Sequence, residues 1–181
     1  MASLRTQILR TSFGRYDGSL ASGAHANNKL DLEQIQNKRC LRRRVANGVA
    51  ELVLPHNPQM IVAVPDGANQ LGADVAAILR VPAYKLRKDP HTKEFSYLPG
   101  VQRAVRTLGR VVLIDDVFNR LTNTNKALAL PDMTEHVVVL AGIWDRNPHR
   151  TNVPDVPLEV LISEEILEEL SDDSPLWSFA A

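Results

Sequence analysis

The chain has 181 residues, enough for a domain with a sizeable core. Lysine plus arginine equals aspartate plus glutamate at 21 each, so no bulk attraction draws it to nucleic acid or to an anionic membrane. Cys40 is the only cysteine, which excludes an internal disulfide and makes a reducing, cytoplasmic setting the expectation. The histidines form no close pair at zinc-ligand spacing, and no apolar run approaches a membrane span.

In chain order, the first segment carries Arg5, Arg10 and Arg15 without an acid and reads as an N-terminal helix. The repeat of Leu41, Val45, Val49 and Leu52 predicts one amphipathic helix from about Asp31 to Val53, capped by Asp31. Its basic run, Lys38, Arg39, Arg42, Arg43 and Arg44, reads as a solvated face, as do the acids between Glu164 and Asp173. Met60 to Val64 is an apolar strand ending at the turn Pro65, Asp66 and Gly67, and Ala68 to Arg80 is a helix. Pro82 to Leu86 follows as a strand, and residues 88–100 read as a mobile polar loop. Val111 to Ile114, His136 to Trp144 and Leu158 to Ile162 are further strands, with a helix over Asn123 to Leu130 and another starting at Ser163. Strands alternating with helices imply an α/β fold: a mainly parallel sheet with helices on both faces.

The most informative stretch is Gly109 to Thr124. Its apolar strand ends abruptly in adjacent carboxylates, Asp115 and Asp116, followed by a polar loop and a helix start. Carboxylates at a strand's C-terminal edge can hold ribose hydroxyls or a hard cation, and amides at a helix start can hold a phosphate. Taken alone, the pair equally suits a core strand ending in a solvated turn. Two other strand ends carry similar chemistry: Asp66, Gly67 and Ala68 in a strand-to-helix turn, and Asp145 with Arg146 directly after Trp144.

The stretch resembles the signature of type I phosphoribosyltransferases: an apolar strand, two acids, two apolar residues and a phosphate loop. The loop here reads Asn119, Arg120, Leu121, Thr122, Asn123 and Thr124, with Leu121 where that family usually has glycine. Across residues 18–170 the order of segments is similar to that of orotate phosphoribosyltransferases. Leu20, Ala21, Ser22 and Gly23 resemble their substrate hood, with Asn28 and Lys29 in place of aromatic residues. Pro65 to Ala68 resembles the pyrophosphate loop, Arg87 and Lys88 with His91 and Lys93 the mobile catalytic loop, and Asp145 with Arg146 the Asp-Arg pair whose arginine meets the orotate carboxylate. The resemblance thus divides the chain into an N-terminal helix and hood (1–30) and a core (31–181).

What the resemblance implies is transfer of a 5-phosphoribosyl group from phosphoribosyl diphosphate to a nucleobase, orotate first, with release of pyrophosphate. It implies Mg²⁺ as cofactor, reached by Asp115 and Asp116 through water, and a homodimer with shared active sites. Asp115, Asp116, Lys88, His91 and Lys93 form the implied catalytic set. Asp66, Gly67, Ala68, Arg87, residues 119–124, Arg146, Ser22 and Lys29 form the implied substrate-binding set. The departures at Leu121 and in the hood leave two alternatives open: a transferase for another base, or a non-catalytic regulator that binds phosphoribosyl diphosphate or a nucleotide. Membrane and nucleic-acid partners are not expected.

Overall fold

The structure is a computed structural model, and it describes residues 3–19, 25–146 and 155–163, with side chains of 13–19 and 25–30 set aside. Helix α1 (Leu4–Ser12) leads into an antiparallel ribbon of β1 (Phe13–Ser19) and β2 (His25–Leu30). Helices α2 (Leu32–Asn37) and α3 (Arg39–Val53) follow, then β3 (Met60–Ala63), α4 (Asn69–Leu79), β4 (Ala83–Lys88), β5 (Phe95–Tyr97), α5 (Val101–Leu108) and β6 (Val111–Ile114). The chain continues through β7 (Val117–Phe118), α6 (Thr122–Leu128), α7 (Met133–His136), β8 (Val137–Asp145) and β9 (Leu158–Ser163).

The main sheet runs β5-β4-β3-β6-β8, with β9 on the far side of β8 and β7 continuing beside β8 beyond the end of β6. All neighbours are parallel except β5, which pairs antiparallel with β4. The fully apolar β3 and β6 are buried on both faces, as central parallel strands require. One core layer packs α1, α3 and α4 against the sheet through Ile8, Val45, Val49, Val75, Val112 and Ile143. The opposite layer holds Val105, Leu113, Phe118, Leu121, Leu128 and Leu140.

The parallel sheet with helices on both faces is as the alternating pattern predicts. Four local features differ. The helix expected over 31–53 breaks at Lys38 into α2 and α3. Ile35 and Leu41 are six positions apart, a spacing no single helical stripe accommodates, and the break lets both reach the core. Asp31 does cap α2, accepting from Glu33 N at 3.1 Å. Residues 88–100 are not a structureless loop, because β4 and β5 form a hairpin around a short tip. Helix α5 is an additional element between β5 and β6, marked in the sequence by Val101, Val105 and Leu108 on one face. The acids interrupt one strand, with β6 and β7 both lying beside β8. Helix α1 packs into the main core while the β1–β2 ribbon forms its own two-stranded sheet. The helix expected after Ser163 lies outside the described residues.

Candidate phosphoribosyl site

Strand β3 is followed by β4 on one side and neighboured by β6 on the other, so the chain direction of winding changes between β3 and β6. A crevice opens at such a switch point, outside the strand ends. The turn after β3 delivers Asp66, Gly67 and Ala68 to it, and the end of β6 delivers Asp115 and Asp116.

The two acids are held differently. Asp115 is buried; one of its oxygens accepts from Thr124 Oγ1 at 3.1 Å and the other from Asp116 N at 2.9 Å. Asp116 is half-buried, and its Oδ1 accepts from Val117 N at 2.8 Å. Its Oδ2 points at Gly67, where an added Cβ would lie only 1.9 Å away. Glycine is therefore required at 67 for the carboxylate to stand where it does. A second glycine supports the pair from below. A Cβ on Gly142, in mid-strand β8, would lie 2.4 Å from the Asp115 carbonyl oxygen and 2.6 Å from the Phe118 ring. Gly142 lets the backbone of the acids cross close over β8.

Burial raises the pKa of Asp115, with repulsion from Asp116 adding to it; burial likewise raises that of Asp116. Two carboxylates at one rim resist joint ionisation until hydroxyl donors or a cation arrive. Among the described residues no group of three or more His, Cys, Asp or Glu could cage a metal ion. With both Asp115 oxygens already accepting protein hydrogen bonds, Mg²⁺ fits here only as an ion held mainly by ligand oxygens and waters. That arrangement suits its reluctance to dehydrate.

The phosphate-loop candidates follow β7. Leu121 takes a left-handed backbone (φ 55°, ψ 15°), the conformation glycine would supply, and sends its side chain into the core. Thr122 and Asn123 are exposed at the start of α6, Arg120 is exposed and Asn119 half-buried. Thr124 is fully buried and spends its hydroxyl on Asp115, so it orients an acid rather than facing a ligand. Ala68 is buried and its carbonyl accepts from Gly72 N, whereas Asp66 and Gly67 are exposed. Arg146 N donates to the Phe118 carbonyl at 2.7 Å, and its guanidinium packs over Trp144, 5.0 Å from the ring centroid.

The hairpin residues bond among themselves and to α6. Arg87 Nε donates to Ser96 Oγ across the hairpin. Asp89 accepts at one oxygen from the backbone N–H groups of His91 and Thr92, which lower its pKa, Thr92 most. His91 and Lys93 are exposed, Lys88 is half-buried, and none of the three hydrogen-bonds to Asp115 or Asp116. Lys126 of α6 ties the tip down, donating to the Lys93 carbonyl at 3.1 Å and to Glu94 Oε1 at 3.0 Å. Ser22 lies outside the described residues; Lys29 sits on β2 opposite Gly14.

Several participants escaped the sequence reading. Gly142 interrupts an apolar run, which is a signal of close backbone approach. A cleft beside Asp116 and Gly67 is lined by α2, α3 and α4, and it includes Arg42 and Gln70. Arg42 stands three residues before the buried Val45, on the same helical face, a placement at odds with a fully solvated basic run.

No protein-family model matches the sequence, nor does any curated protein. Solved structures do match. The fold is similar to that of orotate phosphoribosyltransferase from Aeropyrum pernix, with a TM-score of 0.70 at 19% identity over 93% of this chain and 99% of that one. Adenine phosphoribosyltransferase from Thermoanaerobacter pseudethanolicus superposes with a TM-score of 0.68 at 12% identity, covering 88% of this chain and 99% of that one. The Trypanosoma brucei adenine enzyme, solved with AMP, pyrophosphate and ribose-5-phosphate, gives 0.66 at 19% identity, covering 97% and 86%. The molecule has an α/β phosphoribosyltransferase fold. More particularly, it has the type I phosphoribosyltransferase fold, shared by orotate and adenine enzymes alike.

Proposed function

We propose that this protein transfers a 5-phosphoribosyl group from phosphoribosyl diphosphate to a nucleobase, with orotate as first choice, and releases pyrophosphate. The observation that carries the reading is the acid pair at the switch point, where the missing side chain of Gly67 makes room for Asp116 Oδ2 at the edge of a cleft that both residues line. Asp115 and Asp116 accept hydrogen bonds from the ribose hydroxyls. The exposed turn at Asp66 and Gly67 holds the pyrophosphate end, and residues 119–123 hold the 5′-phosphate. The left-handed turn at Leu121 supports that assignment, because it keeps the loop shape that a glycine would give.

In the transfer, the bond from ribose C1 to the pyrophosphate oxygen breaks as a base nitrogen attacks C1. Positive charge grows on the ring and negative charge on the leaving group. Fixed carboxylates below the ring and cations near the leaving group stabilise both, and orientation supplies the rest. Mg²⁺, when bound, would neutralise pyrophosphate oxygens. Lys88, His91 and Lys93 would close over the pyrophosphate once the Lys126 tether lets the hairpin tip go. The resemblance adds a homodimer with shared sites, and Ser22, Lys29 and Arg146 near the base.

The test is thermal unfolding with Mg²⁺ and phosphoribosyl diphosphate, followed by pyrophosphate release across a panel of bases. A ligand that binds only the folded state raises the midpoint, by about 2.7 kcal/mol of stability at a hundredfold excess over Kd. A raised midpoint and base-dependent release are expected. An unmoved midpoint at millimolar ligand removes every substrate-binding reading together. A raised midpoint without release for any base would make the protein a phosphoribosyl diphosphate-binding regulator.

A further inference from the structure

The cleft beside Asp116 carries chemistry that the transfer step does not use. Leu32, Ile35, Val45, Leu71 and Ile143 form apolar walls, and Gln36, Arg42 and Gln70 are the polar groups among them. Asp74 organises two of the three. One of its oxygens accepts from Gln70 Nε2 at 2.9 Å, and the other lies 3.0 Å from Arg42 Nε. Arg42, on α3, is thereby fixed against α4 with its side chain only 34% exposed.

We propose that this cleft is the acceptor-base pocket, and that Arg42 determines specificity by reading an anionic substituent on a planar heterocycle. The inference rests on the transferase reading above and names the substrate class of the same site. The cleft's apolar walls suit a flat ring better than a hydrated pyrophosphate. The cleft shares Asp116 with the ribose position, which is where a base attacking C1 must lie. With Asp74 on the Nε edge, the opposite edge of the guanidinium presents its terminal N–H groups as a fork that matches a carboxylate. Gln70 gives its amide N–H to Asp74, so its carbonyl oxygen is left to accept from a ring N–H. A carboxylate that takes this fork gains paired, charge-assisted hydrogen bonds that the analogue lacking it cannot make, which favours the carboxylated ring. Arg146, which the resemblance assigns to the same task, packs over Trp144 and does not line the cleft.

The experiment measures dissociation constants of ribose 5-phosphate, phosphoribosyl diphosphate, orotidine 5′-monophosphate and uridine 5′-monophosphate for the wild type, Arg42→Ala, Arg42→Lys, Asp74→Asn and Arg146→Ala. The wild type is expected to prefer the carboxylated nucleotide. Arg42→Ala loses at least tenfold of that preference, Arg42→Lys recovers part of it, and Asp74→Asn, a positioning change, loosens it. Ribose 5-phosphate stays within about twofold throughout, which also shows that the variants are folded. The proposal is overturned if the wild type shows no preference, or if the preference survives Arg42→Ala and disappears in Arg146→Ala. It is equally overturned if Arg42→Ala weakens phosphoribosyl diphosphate relative to ribose 5-phosphate and leaves the nucleotide ratio alone, since the cleft would then take the leaving group. Failure of the wild type to bind ribose 5-phosphate is a separate result, which removes the transferase reading itself and this proposal with it.

Discussion

Burial of Asp115 and Asp116 favours their protonated forms, and this gives the pair a testable pH signature. Burial raises both pKa values above those of the unfolded chain, with mutual repulsion adding at Asp115. A raised acid favours folding fully below the unfolded value, about 4, and that contribution is lost as pH rises through the folded value. Asp115→Asn removes the titration while keeping both hydrogen bonds, since its amide can accept from Asp116 N and donate to Thr124 Oγ1. Its unfolding midpoint without ligand is therefore expected to exceed the wild type's at pH 8, by a margin that shrinks towards pH 4, while turnover falls. A constant margin would show that the acid is not perturbed by folding. Gly67→Ala makes the complementary test. The added methyl displaces the Asp116 carboxylate, so pyrophosphate release should fall at least about tenfold. Unchanged release would mean that Asp116 is not placed by that turn.

At the scale of elements, the close approach of the β6–β7 connection to β8 depends on Gly142, and Gly142→Ala is expected to cost about 1–3 kcal/mol in denaturant unfolding as backbone and Phe118 are pushed apart. An unaffected midpoint would mean that β8 absorbs the methyl. Leu121→Gly relieves a left-handed leucine, worth about 1–2 kcal/mol. It also gives up a core side chain, and truncations of that size cost about 2–5 kcal/mol. A net loss of stability with little change in ribose 5-phosphate affinity is expected, because the turn already has the required shape. Tightened binding would show instead that the side chain obstructs the loop. The Lys126–Glu94 pair is partly exposed and contributes no more than about 1 kcal/mol. Lys126→Ala should accordingly leave the midpoint nearly unchanged and speed amide exchange at 91–94; unaltered exchange would leave the hairpin held by its own turn.

For the whole molecule, the sheet was legible because buried parallel strands leave unbroken apolar runs such as Met60–Ala63 and Val111–Ile114, whose neighbours follow from alternation with helices. The acid pair was legible because charge at the end of such a run is conspicuous. What the sequence hid was set by contacts between distant segments. Thr124 turns inward to Asp115, and Arg42 faces a cleft that exists only once α2, α3 and α4 are assembled. The Lys38 break was hidden because the repeat of Leu41, Val45, Val49 and Leu52 lies wholly beyond it and says nothing of the register before it, and the hairpin tip by Asp89, which folds a polar stretch through its own side chain. The proposed chemistry is local nevertheless: one rim of one sheet would hold a ribose. Diffraction from crystals soaked with ribose 5-phosphate and Mg²⁺ addresses it most directly. Density for the sugar hydroxyls within hydrogen-bond reach of Asp115 and Asp116, with the phosphate at 119–123, is the predicted result. A sugar phosphate bound elsewhere, or none at that rim, would contradict it.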